Sequence, residues 1–160
     1  MTSQQIAIGL VAFALFVGSL TAYADDFSEG VNAYQRGDYA TALRIYRQLA
    51  DQGYADAQCN LGFMYGQGQG VAKDYAEAMR WCRKAADQGY ADAQYNLGLM
   101  YGFGKGVTQD IVQAHMWYTL AVASGDRSAG ALRDALATKM TPAQIARAQK
   151  LAREWKPKGK

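Results

Sequence analysis

The sequence predicts an all-α protein built from about four stacked antiparallel helix hairpins, and three observations carry that reading. The stretch "DQGYADAQ" occurs at Asp51–Gln58 and again at Asp87–Gln94, an offset of 36 residues. A period of that size marks supersecondary units that bury their apolar faces only by stacking on one another. Alanine is abundant, β-branched runs are few, and the two prolines are Pro142 and Pro157, all of which favour helix. With 160 residues, half of them apolar and 19% charged, the chain is large enough for a core and is not a disordered polymer.

Residues 1–24 differ from the rest. Ile6–Leu20 is apolar and uncharged, and Ala22 and Ala24 are small residues at the −3 and −1 positions of a cut before Asp25. This is a secretory signal pattern, although "MTSQQ" lacks the usual Lys or Arg. The expected location is periplasmic or secreted. The alternative is an uncleaved anchor facing the periplasm, since an apolar stretch through Tyr23 is just long enough to span a bilayer. No twin Arg precedes the stretch and no Cys sits near the cut, which disfavours twin-arginine export and lipoprotein attachment.

Residues 53–88 and 89–124 are the two clear copies, and 25–52 and 125–160 are flanking units of the same kind. In each copy a first helix, from about Ala55 to Tyr65 in the earlier one, sets Ala57, Leu61 and Tyr65 on one stripe. A second helix, expected at Tyr75–Asp87, places Ala78, Trp81 or Cys82, and Ala85 on its stripe. Asp38, Asp74 and Asp110 are N-caps by position, and Glu77 and Gln113 complete capping-box patterns. Gly53, Gly89 and Gly125 each follow a second helix, where a left-handed residue is wanted. Gly62 and Gly98 sit inside first helices, where glycine costs about 1 kcal/mol against alanine. Close approach of the partner helix, at Ala78 and Ala114, is the expected compensation.

The end units are atypical. Gly30 to Ala42 is a spacing of 12, against 16 for Gly62 to Ala78, so the first hairpin has a shorter turn. The unit from "GDRSAGAL" onward lacks the glycine-rich turn, and "TPAQ" at Thr141–Gln144 opens the last helix with a Thr cap, Pro at the first position and a capping-box Gln. Eight helices in four hairpins result, followed by a basic "KPKGK" tail read as frayed.

"AQCNLGFMYGQGQGVAKDYAEAMRWCRKAADQG" and its second copy resemble Sel1-like repeats, relatives of the tetratricopeptide repeat with a longer inter-helix turn. The first hairpin is closer to a plain tetratricopeptide hairpin. The resemblance covers nearly all of the chain after Ala24. It implies a right-handed α/α solenoid that works as an adaptor or scaffold for a protein or peptide. It also implies that first helices line the concave face, which would put Gln58, Asn60, Gln94 and Asn96 on a binding surface. An amide there suits an extended peptide, since it carries donors and an acceptor; an Asn that bonds its own solenoid backbone is the alternative.

Other chemistry finds little footing. "GQGQGV" and "GFGKGV" are not phosphate loops, because no strand precedes them and no Gly-Lys-Ser/Thr ending follows. His115 is the single histidine, without Cys or carboxylate partners at ligand spacing, and Met79 fills the equivalent place one unit earlier, so it reads as packing, with no metal or cofactor expected. Cys59 and Cys82 fall near one height of their hairpin, and export would permit a disulfide closing 22 intervening residues, worth about 3 kcal/mol in the chain-entropy model. Tyr95 and Tyr118 replace them in the next copy, which is the pattern of ordinary packing positions.

Charge is uneven. Asp25–Asp126 holds 8 basic and 12 acidic residues, a net −4, whereas Arg127–Lys160 holds 9 basic and 2 acidic, a net +7. Membrane contact is expected only through an uncleaved N-terminal segment or this basic end, and export argues against nucleic acid. The expected function is therefore an exported, non-catalytic adaptor. Two alternatives stand beside it: a structural envelope protein that self-associates head to tail through this charge asymmetry, and a β-lactamase-like hydrolase of the kind proposed for some relatives.

Overall fold

The computed structural model describes residues 22–158, and every regular element among them is a helix. Helix α1 spans 22–35. It is followed by α2 (Tyr39–Asp51), α3 (Ala55–Gln67), α4 (Tyr75–Asp87), α5 (Ala91–Phe103), α6 (Ile111–Ala123), α7 (Ser128–Ala137) and α8 (Pro142–Glu154). The apolar stretch of the candidate leader, Ile6–Leu20, lies outside the described residues, while the candidate cut after Ala24 falls within α1. No described helix is long and apolar enough to cross a membrane.

Helix α3 pairs with α4 and α5 with α6, while α2 packs on α3 and α4 on α5 across the joints. Each first helix is thus held between two second helices. Small residues make this possible: Ala42, Ala57, Ala85, Ala93, Ala114 and Ala121 are fully buried, and Leu61, Leu97 and Trp117 fill the space between them. The last two helices depart from the expected capping hairpin. Both α7 and α8 pack on α6, and they make no comparable contact with each other.

The N-caps follow the sequence, but the capping boxes expected at Glu77 and Gln113 do not form. Asp74 Oδ1 accepts from the N–H groups of Ala76 and Glu77, at 2.8 and 3.0 Å, and Asp110 does the same for Val112 and Gln113. Thr141 and Gln144 form a complete capping box. Glu77 does not close the box with Asp74; its carboxylate accepts instead from Arg80 Nε at 2.9 Å and Trp81 Nε1 at 3.1 Å. The N–H that each box would use is already taken, since Asp74 N–H donates to Tyr65 C=O and Asp110 N–H to Tyr101 C=O, each at 3.0 Å.

Every joint is a Schellman motif. At the first clear joint, Gly53 N–H donates to Ala50 C=O and Tyr54 N–H to Leu49 C=O; Gly89 with Tyr90, and Gly125 with Asp126, repeat the pattern. These glycines have φ of 96°, 88° and 107°.

Two sets of glycines serve helix and repeat contact. A Cβ on Gly62 would stand 2.7 Å from Cys82 Sγ and 3.1 Å from Ala78 O, and a Cβ on Gly98 would lie 2.4 Å from the Tyr118 ring. Close approach is confirmed, but its main partner is Cys82 or Tyr118; the Ala78 methyl group meets Gly66 instead. In the glycine-rich turns, a Cβ on Gly70 would stand 2.5 Å from Tyr39 O, and one on Gly106 would stand 2.2 Å from Tyr75 O. Each turn therefore seats its backbone directly on the first residue of the second helix one unit earlier.

The basic tail is not frayed as far as Lys158. Its N–H donates to Asp87 C=O at 2.7 Å, and its Nζ lies 2.9 Å from Asp87 Oδ2. Trp155 meets Trp117 edge-on at 6.3 Å, and the Arg83 guanidinium lies 5.0 Å from the Trp117 ring.

Gly106→Ala should lower stability by about 3 kcal/mol, combining left-handed strain with overpacking. Gly89→Ala, with φ of 88° and nothing within 4 Å of its Cβ, should cost only about 1 kcal/mol. Denaturant melts of the two variants measure the difference, and equal losses would remove the turn contact as a source of stability. Gly62→Leu should cost on the order of 1–3 kcal/mol by overpacking, read in the same way.

Candidate functional site

The first helices present four amides that the sequence singles out, and the structure divides them. Gln58 and Gln94 are buried, at 4% and 0% exposure, so neither lines an open surface. The physical reason is the joint. Gln58 Nε2 donates to Ala50 C=O at 3.1 Å, and Gln94 Nε2 points at Ala86 C=O at 3.4 Å, so each amide ties a first helix to a carbonyl at the end of the preceding second helix that also accepts from the joint glycine. Gln88 Nε2 then donates to Gln58 Oε1 at 2.9 Å and to Gly53 C=O at 3.0 Å, linking one joint to the next. One unit on, Ser124 stands in the place of Gln88, and Gln94 Oε1 is buried without a partner among the described residues.

Asn60 and Asn96 are only partly buried. Asn60 lines a cavity of about 330 Å³ walled by Tyr34 from α1, Tyr46 from α2, and Phe63 and Met64 from α3. Phe63 is 44% exposed, which leaves a large apolar surface beside the amide. The Tyr34 hydroxyl donates to Gln69 Oε1 at 2.9 Å. Burial pushes the Tyr46 hydroxyl up to about 12, with Tyr34 adding to the effect and a hydrogen bond to Asn60 opposing it. The phenol is therefore a neutral group that donates or accepts. Asn96 Nδ2 lies 3.6 Å from Cys59 Sγ and borders a second, more open groove with Asp92, Tyr95 and the joint at Ser124–Ser128. Tyr54 and Tyr90 occupy the earlier joints, and Asp126 replaces them here, so this groove is polar where its forerunners are aromatic. At the other end of the same face, Tyr23 stacks on Tyr54 at 3.9 Å and its hydroxyl donates to Asp56. Tyr23, two residues before the candidate cut, thus belongs to the first joint, which the apolar pattern of the leader did not reveal.

The disulfide weighed for Cys59 and Cys82 is absent, and both thiols are free and buried. Their sulfurs serve different neighbours: Cys59 faces Asn96 of the next unit, while Cys82 fills the space over Gly62. Burial pushes both thiols up, Cys82 to about 12, so neither is a reactive thiolate. His115 is buried at 4% exposure, and its backbone carbonyl accepts from Thr119 Oγ1 at 2.8 Å. Among the described residues no cluster of His, Cys, Asp and Glu is arranged to hold a metal ion.

Ser124→Gln should supply the donor that Gln94 Oε1 lacks and raise stability by about 1 kcal/mol; a melt no higher than the parent's would refute the joint-to-joint link. His115 gives a pH prediction. Burial holds its imidazole below the ordinary value, with Arg133 adding to the effect and Asp134 opposing it. The unfolded chain then binds the proton more readily, so stability is full above about pH 6.5 and falls as pH drops through the folded-state value. His115→Met, which copies Met79, should flatten the melting temperature between about pH 7 and pH 5.5.

The model of the Sel1 repeat matches residues 26–54, 55–90 and 91–126, so it takes in the short-turned first hairpin as well. The fold is similar to that of c5321, a protective antigen present in uropathogenic Escherichia coli strains that displays an SLR fold. The identity is 33% with a TM-score of 0.79, over 83% of this chain and 29% of that one. It is also similar to a Sel1 repeat protein from Oxalobacter formigenes, at 34% identity and a TM-score of 0.63, over 69% of this chain and 47% of that one. The chain therefore spans less than half the length of either. None of the curated proteins matches it. Three repeat matches along a right-handed α/α solenoid place the chain in the Sel1 repeat family.

Proposed function

We propose that the chain is an exported, non-catalytic adaptor that holds a protein or peptide segment along the face of its first helices. Sel1 repeat proteins generally mediate protein–protein interaction, and their fold is typically a non-enzymatic scaffold. The observation that carries the proposal is the slot beside Asn60. It joins an exposed Phe63 to Tyr34, Tyr46 and Met64, with one amide able to pair with a peptide backbone. Aromatic walls around a few polar groups are the usual composition of a binding pocket. The ligand that fits is an extended segment with an apolar anchor residue seated on Phe63 and a backbone amide at Asn60. The hydrolase alternative gains no support from the site, since His115 is buried and both thiols are protonated.

Selection of peptides from a random library against the full chain tests the reading. Selected peptides should share an apolar anchor, and Phe63→Ser and Asn60→Ala should each weaken them by about tenfold without lowering the melt. Binding that ignores both substitutions would move the site away from this slot. Salt-dependent sedimentation of the parent would favour head-to-tail self-association instead. Export is tested separately, by the mass of protein recovered from the cell envelope, which should begin at Asp25.

A further inference from the structure

A second apolar opening lies at the C-terminal end of α5, apart from the slot beside Asn60. In two successive units, the first residue of the second helix is covered by the glycine-rich turn of the unit that follows. Gly70 seats on Tyr39 and Gly106 on Tyr75, each close enough that a Cβ would stand within 2.5 Å of the carbonyl oxygen. Val71, next to Gly70, packs against the core. The third such ledge is at Ile111, which is 36 residues after Tyr75. The unit that follows it has no glycine-rich turn: α7 ends at Ala137 and the chain passes through Met140 into α8. At that place the structure has a mainly apolar cavity of about 340 Å³, lined by Ile111, Phe103, Tyr118, Leu132, Leu136 and Lys139 among others. Phe103 stands at its edge 68% exposed, where the preceding copy has Gln67.

We infer that the Ile111 ledge is a docking site for a glycine-valine turn presented by another protein, of the kind this chain lays on its own Tyr39 and Tyr75. The two internal copies supply the chemistry of the occupant. It needs a glycine, because the backbone must approach a carbonyl more closely than any Cβ allows, and an apolar residue after it to enter the cavity. A second copy of this chain is not the expected occupant, because both of its glycine-rich turns are already seated internally. A partner whose turn is free, such as one at the start of another repeat array, meets the requirement.

A fluorescein-labelled peptide with the sequence of Gly66–Asp74, GQGQGVAKD, tests this by anisotropy against the full chain. Saturable binding is expected. Replacing the peptide's third glycine by alanine, or using Phe103→Ser protein, should weaken it by about tenfold. Ile111→Asp should abolish it, and Phe63→Ser should leave it unchanged. Because Phe103 is exposed, its variant should keep the parent's melting curve even if Ile111→Asp does not. No saturable binding, or equal binding of the alanine peptide, would overturn the inference. Dimerisation of the parent that Phe103→Ser abolishes would also overturn it, by giving the ledge to a second copy. Loss of peptide binding with Phe63→Ser would show that the peptide had found the first-helix slot instead.

Discussion

Contact between the backbones of successive units is the constraint on which the rest of this structure depends. At one edge of the solenoid a glycine-rich turn rests on the carbonyl of Tyr39 or Tyr75. At the other edge Gln58 and Gln94 reach the carbonyls of Ala50 and Ala86. Two such ties fix both the position and the rotation of each hairpin on the one before. Apolar burial alone is non-directional and could not set that register. With the register set, the small residues of first and second helices come face to face, and side chains as large as Trp117 are fully enclosed.

The ends show what happens when one tie is lost. At the C-terminal end the glycine-rich turn is missing, α7 is short, and α8 packs on α6 instead of pairing with α7 as α4 pairs with α3. Trp155 and Lys158 then close over Trp117 and Asp87, giving that end a lid of its own. The Lys158 ion pair adds little by itself, being exposed on the lysine side; the aromatic contact and the backbone bond to Asp87 are the stronger parts. At the other end Tyr23 stacks on Tyr54 in the first joint. A cut after Ala24 would take that ring away from the first joint.

Much of the fold was legible because helix ends and glycines have local causes. Asp74, Asp110 and Thr141 cap helices through contacts within three residues of themselves. Gly53, Gly89 and Gly125 follow from the left-handed φ of a Schellman motif. The site was less legible because α3 and α5 are held between two helices each. A helix covered on both sides has no clean polar face, so Gln58 and Asn60, two residues apart, could not be separated by pattern. Only the distance to Ala50 shows that one amide is structural while the other borders a cavity. Glu77 and Gln113 failed as capping-box residues for a related reason: the carbonyls of Tyr65 and Tyr101, on the preceding helix, already take the Asp74 and Asp110 N–H groups.

The two copies also act as controls for each other. Where both carry the same residue and it is buried, as with Ala57 and Ala93 or Leu61 and Leu97, packing accounts for it. Where they differ, as at Cys59 and Tyr95 or Cys82 and Tyr118, the position tolerates any side chain that fills the local space. Asn60 and Asn96 fit neither case. They are identical, only partly buried, and meet different neighbours, a tyrosine hydroxyl in one unit and a cysteine sulfur in the other. Since no common internal partner explains the amide, what the two share is a position beside an opening on the first-helix face. That is the property a peptide-binding residue needs, and it favours these two positions over the buried glutamines beside them.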